Sequence, residues 1–151
     1  MALVGSSGGG KTTVARLAAR FYDANDGEIL IGRLNIKAYK KEALMNKIAF
    51  VFQNSKLFKM NLRDNLLIGK QDATGEEINK ALESSGSKEI VDSLKDGLDT
   101  VYGTKGTYFS GGEAQRLSIA RAFLKDADII ILDDFLARFF RYEIVMGSVA
   151  D

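Results

Sequence analysis

Residues 2–21, "ALVGSSGGGKTTVARLAARF", decide how the rest of the chain is read. A short apolar run stops at a glycine-rich turn, residues 5–12, that fits G-x-x-x-x-G-K-[ST]. Val14, Leu17, Ala18 and Phe21 follow at helical spacing. Glycines let backbone N–H groups turn inward around phosphate oxygens, and the positive end of the following helix faces the same anion. The pattern places Gly5, Ser6, Ser7, Gly8, Gly9, Gly10, Lys11, Thr12 and Thr13 around the phosphates of a nucleotide such as ATP. Lys11 would reach the β- and γ-phosphates, and the Thr12 hydroxyl would turn to Mg²⁺. A loose glycine turn with a surface lysine is the plain alternative. The strand before it and the helix after it favour the phosphate loop.

Outward from this turn, "NDGEILIG" reads as a turn at Asp26 and Gly27 and then a short strand. "KIAFVFQ" is a second apolar strand that breaks off at Gln53. From about Leu57 to Leu124 the pattern becomes helical, with candidates "MNLRDNLLIG", "TGEEINKALESSG", "KEIVDSL" and "GGEAQRLSIARAFL". "ADIIILDD" returns to a strand, and its continuous apolar run predicts burial on both faces. Strands flanking a helical insertion make an α/β core with a helical subdomain. The expected division is 1–56 and 125–134 for the core, 57–124 for the helical part, and 135–151 for a tail, all within one domain.

A strand that ends in an acid can hold a carboxylate beside an ion bound by the phosphate-loop threonine, which singles out Asp133 in "IIILDD". Many buried strands end in Asp only to turn the chain. "FSGGEAQRLSIARAF" has a good structural reading. Ser110 and Glu113 form an S-x-x-E capping box, and Leu117, Ala120 and Leu124 make the buried stripe of a helix. That leaves Gly111 and Gly112 unexplained, because glycine weakens a helix. They make sense where a phosphate must approach the backbone.

Composition narrows the classes. The net charge of +1 makes no electrostatic case for nucleic acid. The chain has 0 cysteines, which excludes disulfides and thiolate metal sites, and 0 histidines, which removes the commonest general base. No apolar run approaches the roughly 20 residues that span a bilayer, and the first residues lack the basic and apolar segments of a signal peptide. The expected compartment is the cytoplasm, with any membrane role reached through a partner and no direct insertion.

The order of phosphate loop, Gln53 after a strand, "SGGEAQR" and "IIILDD" resembles the nucleotide-binding domain of an ABC transporter, over roughly residues 1–134. "NSKLFKMNLRDNLLIG" and "TVYGTKG" resemble the exporter type, in which Thr100, Gly103 and Gly106 match the segment that touches transmembrane coupling helices. The resemblance implies a P-loop NTPase (RecA-like) core with the helical subdomain inserted between Gln53 and the Walker B strand. It implies an ATPase with ATP and Mg²⁺ as cofactors, working with a second nucleotide-binding domain and with transmembrane domains at the cytoplasmic face of a membrane. Residue by residue, Ser110, Gly111, Gly112 and Glu113 match the signature that contacts the ATP of the opposite subunit. Lys11 would hold phosphates; Thr12, Gln53 and Asp133 would hold Mg²⁺; Gln53 would also contact the attacking water, which Asp134 would polarise. DNA-repair ATPases of the same class are disfavoured, because the span from Lys11 to Ser110 is too short for their long coiled coil.

The chain departs from the family in five respects. Met1 lies close before the phosphate loop, without the upstream strands and base-stacking aromatic. Asp134 stands where the family has a glutamate, one methylene longer, and Thr104 stands where the coupling segment has its glutamate. After Asp134, "FLARFFRYEIVMGSVAD" does not match the family's small-residue loop and aspartate, and no switch histidine follows. From this we expect a sheet that is incomplete and a domain truncated at both ends, with the abrupt change after Asp134 pointing to a truncated or frame-shifted reading frame. Three functions follow as expectations: an exporter ATPase, a module that binds nucleotide without turnover, or an inactive remnant.

Overall fold

The structure, a computed structural model, describes residues 9–52, 56–103 and 108–133. Helix α1 (Lys11–Ala18) starts from Gly10, whose φ of 79° is a left-handed conformation that glycine enters without a Cβ penalty. The helix stops before Phe21, earlier than its spacing suggests. Arg20 takes φ 54° and its guanidinium donates to the carbonyls of Ile36 at 3.1 Å and Tyr39 at 3.3 Å, so a tertiary tie turns the chain out of the helix. Val14 and Phe21, read as part of a helical stripe, are 50% and 38% exposed. The α1 segment reaches the core instead through Ala19, which is fully buried.

Strands β1 (Leu30–Ile31) and β2 (Leu34–Asn35) form an antiparallel hairpin. Its two-residue turn, Gly32 at φ 57° and Arg33 at φ 67°, has the left-handed pair of angles whose twist matches the flanking strands. Asn35 then caps a 3₁₀ turn, Ile36–Ala38, by accepting from the Lys37 N–H. Helix α2 (Lys41–Lys47) runs directly into β3 (Ile48–Val51), which pairs in parallel with β4 (Ile129–Leu132) from Ile48↔Ile129 to Val51↔Leu132.

The alternation of side chains along β3 feeds two clusters. Ile48 and Phe50 pack with Ala19, Ile36, Leu44, Ile129 and Ile131, whereas Ala49 and Val51 pack with Ile119, Ala122 and Leu132. The continuous apolar run of β4 predicts full burial, but Ile130 is 38% exposed and joins neither cluster. Its register partner is Ala49, whose short side chain sits against Ile119 and Ala122, so packing on that face is completed by β3 rather than by Ile130.

The helical part comprises α3 (Leu62–Leu67), α4 (Gly75–Ser84), α5 (Lys88–Asp92) and α6 (Gly111–Leu124). Each of α3, α4 and α6 has a side-chain N-cap, from Asn61, Thr74 and Ser110, which satisfies an amide the helix cannot. Leu62, Leu66, Ile78, Leu82 and Val91 close on the stripe of α6, where Leu117, Ala120 and Leu124 are buried as their spacing predicts. Gly69 lets the end of α3 lie directly on α6: a Cβ there would collide with the Arg121 carbonyl oxygen. Helix α6 ends at Lys125, and Asp126 then takes φ 52°.

Candidate functional site

Because β3 and β4 are parallel, both end at the same edge, and the Asp133 N–H continues the pairing by donating to the Val51 carbonyl at 2.9 Å. This brings the buried Asp133 carboxylate to the first turn of α1, where the Thr12 hydroxyl donates to Asp133 Oδ1 at 2.7 Å. The edge beyond the carboxyl ends of parallel strands is where ligands of open α/β sheets bind. Here it coincides with a helix start. Among the described residues no side-chain N-cap closes α1 and no acid lies in its first turn, so the positive end of the helix dipole meets no carboxylate of its own.

The start of α6 is built differently. Ser110 Oγ accepts from the Glu113 N–H at 3.3 Å while Glu113 Oε2 accepts from the Ser110 N–H at 2.8 Å. The Ser110 N–H is the main reason the Glu113 carboxyl lies below the ordinary 4.5, with the Ser110 hydroxyl and nearby Arg116 adding to the effect and burial opposing it. Gly111 is exposed at the first helical position, and a Cβ on it would meet nothing within 4 Å. Its φ is not among the positive ones, so the fold of this chain alone does not require glycine there.

Of the residues singled out from the sequence, the structure joins Thr12 directly to Asp133. Gly9 and Gly10 lead into α1, which begins with Lys11, Thr12 and Thr13; Ser110, Gly111, Gly112 and Glu113 open α6. Gly5, Ser6, Ser7, Gly8, Gln53 and Asp134 lie outside the described residues, as do Thr104 and Gly106. In the segment resembling a coupling contact, the Thr100 carbonyl accepts from the Leu62 N–H at 3.1 Å, Val101 bridges to Asn61, and Gly103 takes φ 78°. The oxygen pair of Thr12 and Asp133 suits a hard cation: Mg²⁺ takes oxygen ligands, typically one or two carboxylates together with phosphates.

Two structural residues escaped the sequence reading. Asn65 is buried; its Oδ1 accepts from the Phe58 N–H and its Nδ2 donates to the carbonyls of Phe58, Met60 and Asn61, fixing the loop before α3. Asparagine inside a helical run is a poor helix former, and that mismatch was its signal. Lys125 donates to the Met45 carbonyl at 2.5 Å and the Ile48 carbonyl at 2.7 Å, and burial lowers its pKa. Nothing in its local sequence distinguishes it from a surface lysine.

A family model described as ABC transporter matches residues 1–137. ABC transporter B family member 21 of Arabidopsis thaliana is 45% identical over 134 residues, which are 89% of this chain and 10% of that protein. The putative multidrug export ATP-binding/permease protein YgaD of Bacillus subtilis (strain 168) is 44% identical over 134 residues, 89% of this chain and 23% of that protein. The beta-(1→2)glucan export ATP-binding/permease protein NdvA of Agrobacterium vitis is 42% identical over the same shares. A solved structure of a bacterial Atm1-family ABC exporter with ATP bound aligns with a TM-score of 0.79 and 36% identity over 85% of this chain and 23% of that one. The chain therefore spans between 10% and 23% of the length of these relatives.

Proposed function

The chain belongs to the ABC transporter family, and on that premise we propose that it is the ATP-binding part of an exporter, which binds Mg-ATP and hydrolyses it as a dimer to drive transport. Its fold is that of the P-loop NTPases. ATP lies between residues 5–13 of one nucleotide-binding domain and Ser110, Gly111, Gly112 and Glu113 of another. The α/β core comprises 1–56 and 125–134 and the helical subdomain 57–124. Transmembrane partners hold the assembly at the cytoplasmic face; among the described residues no helix is long and apolar enough to cross a membrane.

The observation that carries this reading is the Thr12–Asp133 hydrogen bond. It joins two motifs 121 residues apart at the first turn of α1, and a helix N-terminus favours phosphate. Lys11 and the first-turn amides hold the phosphates. Thr12, Gln53 and Asp133 would hold Mg²⁺, Gln53 would contact the attacking water, and the Asp134 carboxylate would polarise it. When bound, the ion would supply positive charge to offset the charge that develops on the transferred phosphoryl group. The rest of the catalysis is positioning and charge stabilisation by these side chains and amides. Purified chain should release phosphate from ATP above the level of a Lys11→Ala control; equal release from both would defeat the reading as an ATPase.

A second reading, nucleotide binding without turnover, is favoured by one residue. Asp134 is one methylene shorter than the glutamate of the family, and a displacement of about 1 Å in a positioned group can cost about 10²-fold. A rise in Tm with Mg-ATP, unaccompanied by phosphate release, selects this reading.

A further inference from the structure

We propose that Lys125 is a positioning residue that sets the angle of α6, and with it the location of residues 110–113, relative to the α/β core. The inference rests on the reading of residues 110–113 as the contact to ATP on a second subunit. Lys125 follows α6 at the end opposite those residues, and its ammonium donates across the chain to Met45, in the last turn of α2, and to Ile48, the first residue of β3. One side chain thus ties the C-terminal end of α6 to the junction from which β3 runs towards Gln53.

The apolar contacts of α6 with the sheet, among the described residues, lack such direction. Ile119 and Ala122 meet Ala49, Val51 and Leu132 as apolar surfaces, which resist separation but tolerate sliding. The nearby Lys47–Asp128 ion pair, at 2.6 Å, is exposed on both sides and so adds little. By contrast, α3 and α4 pack on α6 in a single apolar cluster, so these helices would tilt with it. Helix α6 has 14 residues and a length of about 21 Å, which makes it a lever pivoted at Lys125. A tilt of about 5° at the pivot displaces Ser110 by about 2 Å, more than a positioned phosphate contact tolerates.

The test uses the full chain, whose lack of cysteine makes site-specific labelling direct. Nitroxides on Glu42→Cys in α2 and Glu83→Cys in α4, both exposed, report the angle between the two parts without any nucleotide. Lys125→Met keeps the apolar stem and removes the donors, whereas Lys125→Arg keeps donors. The expected result is a distance distribution that shifts or broadens by several ångströms in Lys125→Met and returns toward the wild-type distribution in Lys125→Arg. A Lys125→Met distribution that coincides with wild type overturns the proposal. Binding of a fluorescent ATP analogue to the chain's own phosphate loop should stay within about twofold in Lys125→Met while ATP-dependent self-association weakens about tenfold or more. Joint loss of ATP binding, association and Tm would mark Lys125 as merely structural and overturn its positioning role. Absence of ATP-dependent association in the wild type would instead count against the dimer reading, with the spin-label distances still deciding the role of Lys125.

Discussion

Replacing Gly111 by alanine should make the fold more stable and the protein worse at its work. Gly111 is the first residue of α6, its φ lies outside the left-handed region, and an added Cβ meets nothing within 4 Å. Alanine therefore adds helix propensity without a clash. Inside a helix that exchange is worth about 0.5–1 kcal/mol, and the terminal position argues for about 0.5 kcal/mol. For a domain of this size the gain raises Tm by about 1–2 °C. On the outer side, the methyl group occupies the space from which a phosphate of the opposing subunit would reach the backbone amides. Pushing that phosphate back by about 1 Å should weaken ATP-dependent self-association by about 10- to 100-fold. Thermal unfolding by circular dichroism and sedimentation velocity with and without Mg-ATP read the two effects separately. The reasoning is refuted by a lower Tm, which would mean the chain itself needs glycine there, or by association that survives intact.

Other perturbations follow from the same geometry. Asp133→Asn keeps an oxygen to accept from Thr12 but removes the charge, so the fold should persist while the gain in ATP affinity on adding Mg²⁺ over EDTA disappears. Equilibrium titration of a fluorescent ATP analogue checks it. Asn65→Ala strands the Phe58 N–H and removes the donor to three loop carbonyls; the expected loss is about 2–4 kcal/mol, seen as a lower urea midpoint at unchanged slope. The carboxyls of Glu77, held down chiefly by Lys70, and Glu113, held down chiefly by the Ser110 N–H, both lie below 4.5 when folded. Between the folded and unfolded values the unfolded chain binds more protons, so stability rises with pH there. Their contribution should be complete above about pH 4.5 and disappear as pH falls through the lowered values; a Glu77→Gln, Glu113→Gln variant should flatten that part of the urea-midpoint curve.

Local chemistry was legible wherever a short pattern carries its own physical reason. The box at Ser110 and Glu113, the stripe of Leu117, Ala120 and Leu124, and the left-handed Gly10 before α1 all depend on residues a few positions apart. Patterns that required a neighbour from elsewhere were read less well. The α1 segment was expected to continue to Phe21, but Arg20 turns aside to carbonyls of Ile36 and Tyr39. The run in β4 was expected to be buried throughout, but Ile130 faces Ala49 in register and stays partly open.

By itself the sequence determined the chemical inventory: a glycine-rich stretch followed by lysine and threonine, a strand ending in acid, and a capped helix opening with two glycines. These depend on backbone angles and hydrogen bonds within one turn, which neighbouring residues dictate. Only the tertiary structure decided that Thr12 bonds Asp133 and that Lys125 grips Met45 and Ile48. Parallel strands are brought into register by packing on both faces of the sheet, and that packing is decided by residues far apart in the chain.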